Sequence, residues 1–160
     1  MSKITLALTE LHRSEHSLAH DLRSIAARHH SDQDISHLAD DLARWSEEHV
    51  ALLAEHGRHY GLHLTWRSGR MRVTRWIQER FSAAMRRRPE PALLLLADLR
   101  KVHRAAAGVS LDWELLGQGA QATKDQELLT LTERCHPQTL RQMRWANAML
   151  KELSPQVLSS

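Results

Sequence analysis

Residues 132–140 read Thr-Glu-Arg-Cys-His-Pro-Gln-Thr-Leu and set the chain's single cysteine beside a histidine and a proline. Glu133 and His136 form an E-x-x-H, a spacing that lets one helical turn offer two metal ligands. Cys135 and His136 also have the residue types of a nucleophile and its base. Successive helical positions point about 100° apart, however, so these two side chains diverge and cannot act together. Cys135 then reads as a small buried apolar residue. Pro137 lacks a backbone donor and clashes with the carbonyl of Glu133, which predicts a kink or a new helical segment there.

Other groups able to do chemistry emerge when each periodic run is placed on a helical wheel. Glu15 falls within the stripe of Leu11, Leu18 and Leu22, whereas His12, His16 and His20 walk away from it toward solvent. His49 and His56 lie in the centre of a second stripe with Trp45 and Leu52. His103 stands between Leu99 and Ala106 on a third, and Cys135 is inward on a fourth, with His136 at its margin and Glu133 pointing away. A turn centred near residue 32 puts Glu15 level with His49, each about seventeen residues, or ~25 Å, from it. The spacing therefore predicts a carboxylate facing an imidazole in mid-bundle, and His103 joins that layer if the second and third helices run parallel. Two chemistries compete for these residues. One is a metal site of Glu15, His49, His56, His103 and His136, rich in imidazole and suited to zinc, copper or a single iron, with a bis-histidine haem as a variant. The other is a hydrogen-bonded Glu15–His49 pair, each neutralising the other's buried charge, with the remaining histidines packed as half-polar core residues.

The elements that must carry these groups are helices. The 160 residues suit one domain with a substantial core. Six Gly and four Pro leave few turns, and five of the seven aromatics are Trp. Apolar periodicity predicts helices over about 3–30, 33–60, 91–120 and 124–153, with Ser31 or Asp32 capping the second and Thr123 or Asp125 the fourth. The tail Ser154-Pro155 is expected to end the last helix. The 61–90 segment is long enough to cross the full length of a bundle, and Val73, Trp76, Ile77, Phe81 and Ala84 give part of it an amphipathic helical pattern. Two antiparallel hairpins joined by such a crossover make an all-α four-helix bundle.

Charge is unevenly spread. Residues 1–60 hold 6 Lys/Arg against 10 Asp/Glu, whereas residues 61–90 hold 8 against 2. Arg67, Arg70, Arg72, Arg75, Arg86, Arg87 and Arg88 form an anion-binding candidate. The segment is read first as an amphipathic cover with its arginines outward, then as a peripheral membrane helix or a phosphate contact to nucleic acid. Its Trp and Arg content also suits an interface with a macromolecular partner or a second copy of the chain. No apolar run is long enough to form a transmembrane segment. The early charges of the N-terminal stretch do not match a signal peptide, and one cysteine excludes an internal disulfide. These features predict a soluble, cytoplasmic protein.

In its helix lengths and long crossover the whole chain resembles the ferritin-like superfamily, including its bacterial families of small four-helix proteins with an incomplete di-iron ligand set. Glu48-His49-Val50, followed by Leu52 and Leu53, is a loose local echo. The resemblance implies that Glu15 stands for the carboxylate of the first helix, His49 for the histidine of the second, and Glu133 with His136 for the pair of the fourth. The sequence departs from the pattern at Ser46, three residues before His49, and in the third helix, where His103 and Ser110 occupy the inward positions. One inward carboxylate cannot balance two irons. The expectation is therefore a binding or structural protein rather than a conventional di-iron enzyme, with the histidine-rich metal or haem site and the Arg-rich surface as alternatives.

Overall fold

The computed structural model describes residues 2–65 and 90–160. These form four α-helices, with no strand among them: α1 (Lys3–Arg28), α2 (Gln33–Gly57), α3 (Pro91–Thr123) and α4 (Gln126–Ser159). Each start has a local cause. The Ser2 hydroxyl accepts from Thr5 N, the Asp32 carboxylate from Ile35 N and the Asp125 carboxylate from Leu128 N, satisfying donors the first turn leaves open. Pro91 occupies the first turn of α3, where no donor is lost. A 3-10 turn, Arg58–Tyr60, follows α2 and stops at Gly61, whose φ of 73° is left-handed. Lys124, with φ 56°, ends α3. The third helix, expected to end near residue 120, thus runs to Thr123, and Asp32 and Asp125 are the caps.

α1 packs along α2 and α3, and α4 along α3 and, more thinly, α2. Ser14 bonds Asp112 and Arg28 bonds Asp98, so α1 and α3 are antiparallel. Gln142 bonds Ser46 and Tyr60 bonds Asp125, so α2 and α4 are antiparallel too. α2 and α3 consequently run in the same direction. The chain leaves α2 at the end where α1 begins and enters α3 at the other. The amphipathic stretch 73–84 and the arginines at 67, 70, 72, 75, 86, 87 and 88 lie outside the described residues.

The core is built from Leu8, Leu11, Leu18, Leu22 and Ile25 of α1 against Leu53, Leu99, Leu116 and Leu128, all fully buried. Three expectations are corrected. Trp45 and Leu52, expected in the α2 stripe with His49, are only part-buried, and Ala39, Ala43, Ser46 and Val50 are buried beside Ile35, Leu42 and Leu53. Small residues let the backbones approach, and the larger apolar ones close the flanks. On α4 the deepest line is polar, Thr132, Thr139 and Gln142 beside Cys135, with Leu131, Met143 and Leu150 at its edges. Helix α4 also continues through both Pro137 and Pro155. Both prolines face solvent, as do Glu133 and Lys151, whose carbonyls lose a partner. Water can satisfy those carbonyls, and inward packing on either side holds the helix together.

Gly117 sets the close approach of α3 and α4: a Cβ there would meet Thr132 Cγ2 at 3.0 Å. Thr132 is buried and bonded through Oγ1 to Leu128 O, so it cannot yield. Gly108, mid-way along α3, faces open space. Gly108→Ala should raise unfolding free energy by about 0.5–1 kcal/mol. Gly117→Ala should lower it by about 1 kcal/mol, because overpacking outweighs the propensity gain. Denaturant midpoints of the two variants check both signs.

Candidate functional site

Mid-way along the bundle, one face of α1 offers a carboxylate where its neighbours offer leucine. Glu15 is fully buried, and so is His49 opposite it on α2. The Nδ1–H of His49 donates to Glu15 Oε1 at 2.7 Å. α3 contributes Trp113, whose indole Nε1–H donates to the same oxygen at 2.7 Å, and α4 contributes the Thr139 hydroxyl at 3.4 Å. The indole and imidazole planes meet edge to face, with centroids 5.7 Å apart and an interplanar angle of 85°. On its far side His49 Nε2 lies 2.7 Å from Gln138 Oε1. One turn further along α4, Gln142 Nε2 donates to Ser46 Oγ at 2.9 Å and to the carbonyl of Leu42 at 2.8 Å.

Both ring nitrogens of His49 face oxygen atoms, an arrangement satisfied by a doubly protonated, positively charged imidazole. Burial acts to lower its pKa, but hydrogen bonds to Cys135 and Glu15, and the charge of Glu15, outweigh burial and raise it to about 10. The centre is thus a buried ion pair whose acid is further held by a neutral indole and hydroxyl. Cys135 acts on His49 across the bundle, where its proximity helps to hold the proton on the imidazole. The sulfur is fully buried, out of reach of any substrate carbonyl.

The other predicted site residues lie elsewhere. His56 is buried but two turns along α2 from His49, beside Asp125 at the end of the bundle. His103 is part-buried. The Ser14–Asp112 and Lys101–Asp21 contacts fix α3 so that His103 falls more than a turn of α1 away from Glu15, and Trp113 occupies the layer instead. His136 Nε2 lies 2.8 Å from Ser110 Oγ on the α3–α4 seam, and Glu133 is exposed. His12, expected toward solvent, is buried to 7% exposure; His16 is half-buried and His20 exposed. Desolvation, and then the neighbouring histidine, lower the pKa of both His12 and His16. Trp113, Gln138, Thr139 and Gln142 were missed. The signal available for Trp113 was its indole donor, which needs a partner when buried.

The donor set does not fit a di-iron centre. Glu15 Oε1 and both nitrogens of His49 are committed to hydrogen bonds, and an indole N–H, which cannot ligate, lies against the carboxylate. Glu15 Oε2 is buried without a protein hydrogen-bond partner among the described residues, but a single oxygen cannot hold two hard cations. Compared with known proteins, the chain matches no family model, no curated protein and no solved structure. No helix among the described residues is long and apolar enough to cross a membrane.

Removing one member of a buried pair leaves the other charge uncompensated, so Glu15→Ala should cost about 3–5 kcal/mol in denaturant unfolding. The pair also fixes a pH dependence. His49 has a folded pKa above that of an unfolded imidazole, so its stabilising contribution is complete below pH ~6.5 and is lost as pH rises toward about 10. His12 and His16 have the opposite sign: their contribution is present above that value and lost on acidification. Melting curves from pH 5 to 10 should therefore show stability falling on both sides of neutrality, and His49→Gln should flatten the alkaline side. Cys135 should resist a bulky disulfide reagent in the native protein and react only as the chain opens; rapid native labelling would contradict its burial.

Proposed function

We propose that this chain is a ferritin-like bundle that works as a binding or structural protein, its interior closed by hydrogen bonds where iron-binding relatives of that plan hold metal. The observation that carries the reading is the saturation of Glu15 Oε1 by donors from the other three helices, His49 of α2, Trp113 of α3 and Thr139 of α4. Two features of the fold support the ferritin-like assignment. The helices form two antiparallel hairpins, and the parallel sense of α2 and α3 places the end of one and the start of the other at opposite ends of the bundle. In addition, the polar centre lies in mid-bundle, at the level where such proteins place their ligands. Ser46 and Trp113 stand where a carboxylate-rich site would need acids, and both are fully buried and hydrogen-bonded.

With its centre shut, the described part of the chain offers its surface to a partner. Leu111 and Leu115 on α3 are 63% and 67% exposed, and Leu158 near the end of α4 is 70% exposed, apolar area of the kind that contacts use.

The decisive experiment is iron chemistry at the core. Anaerobic addition of ferrous iron followed by air should give no faster oxidation than buffer alone, in both the wild-type protein and Glu15→Gln. Stoichiometric iron lost in Glu15→Gln, or catalysed oxidation abolished by it, would replace this reading with a metal-dependent one.

A further inference from the structure

Among the described residues, the donor atoms of one group of metal-ligating side chains converge, and that group lies at the end of the bundle rather than in its core. His56, in the last turn of α2, His59, in the 3-10 turn, and Glu127, in the first turn of α4, each offer an atom within 4.8 Å of the others. The spacing His56-x-x-His59 puts both rings on one side of the helix end, with centroids 5.2 Å apart. Two observations beyond proximity point to a ligand. First, His56 is 9% exposed, and its Nε2 is buried without a hydrogen-bond partner. Its nearest carboxylate oxygen, Asp125 Oδ2 at 3.5 Å, already accepts the Tyr60 hydroxyl. Second, His59 Nδ1 and Glu127 Oε2 are 3.5 Å apart. Four-coordinate zinc with ligand bonds of ~2.0–2.1 Å sets its donors about 3.3 Å from one another, so this pair needs almost no movement.

We propose that His56, His59 and Glu127 bind a zinc-class divalent cation that ties the end of α2 to the start of α4. Two imidazoles and one carboxylate suit zinc, whereas calcium and magnesium prefer all-oxygen shells. The frame is already built: the Tyr60–Asp125 bond joins the backbone bearing His59 to the backbone bearing Glu127. Asp125 is also the N-cap of α4, so its position is set by the helix as well. His59 and Glu127 are 61% and 76% exposed in their side chains, free to close on an ion and leaving a fourth coordination position to water or to an incoming ligand. The site shares no residue with the Glu15–His49 centre, so the two readings stand or fall separately.

The test uses the full chain without an affinity tag, titrated with Zn(II) by calorimetry and melted with Zn(II) or EDTA. One zinc per chain and a raised melting temperature are expected. The double variant His59→Ala/Glu127→Gln should melt as the wild type does in EDTA, because both side chains are exposed, yet bind zinc at least about tenfold more weakly. His20→Ala, on the α1 histidine ladder, and Glu15→Gln should bind as the wild type does. Absence of zinc binding, affinity unchanged in the double variant, or affinity lost in His20→Ala would each overturn the proposal. Co(II) in place of zinc should give the intense visible bands of a four-coordinate site; the pale spectrum of hexa-aquo cobalt would count against it.

Discussion

A carboxylate in a dry helical interior is the constraint to which every other helix answers. Glu15 carries a charge that apolar neighbours cannot solvate, and each remaining helix supplies a donor at that height: imidazole from α2, indole from α3 and hydroxyl from α4. Leucines packed on leucines tolerate a slip of register at modest cost, because dispersion has little direction. A hydrogen bond does not: a helix moved by one residue shifts its side chain by about 1.5 Å and turns it through about 100°. The apolar stripes therefore stabilise the bundle, while the Glu15 cluster selects one alignment of its four rods. This is the role best attested for buried polar groups, which add little net stability against an apolar isostere.

What the sequence revealed follows from which heights can be counted along the chain. α1 and α2 are joined by a short turn, so counting outward from it pairs Glu15 with His49, and they do meet. No short turn connects α2 to α3, so the height of α3 could not be counted. His103 was given the place that Trp113 takes, although both lie on the same helix. α4 failed for another reason. Its inward line is Thr132, Cys135, Thr139 and Gln142, and a search for apolar periodicity assigns the hydroxyls and amide to solvent. A polar stripe on an inner face becomes legible only once a buried acid opposite it demands donors. Pro155 was misjudged because its cost was weighed without asking which face it occupied; it faces solvent, and the helix runs on to Ser159.

The neutral members of the cluster bear on what the centre can do. Gln142, Ser46 and Thr139 are fully buried and bring no charge, so this central layer balances one acid against one imidazolium. A dication placed there would have to displace that imidazolium, break the indole bond and find further acids that the layer lacks. Cys135 is constrained similarly: its contact with His49 raises the imidazole's proton affinity, yet the sulfur has no exposed surface through which to react. The chemistry the residue types suggest is present in outline and sealed by packing.

The two ends of the bundle share one construction. Where α1 turns into α2, Asp98 of α3 is buried and accepts from Arg28 at 2.8 and 3.1 Å and pairs with His29 at 2.8 Å. Where α3 turns into α4, Asp125 accepts from Tyr60 and from Leu128 N and lies beside His56. In each case an aspartate of the second hairpin is held by residues at a terminus of the first, so the hairpins are bolted at both ends as well as in the middle. The layers are far enough apart to act independently. His56 lies seven residues from His49 along α2, ~10 Å, the separation beyond which energetic effects usually add. A ligand or partner engaging an end can thus tighten or loosen the hairpin contact there while the central ion pair keeps the rods in register.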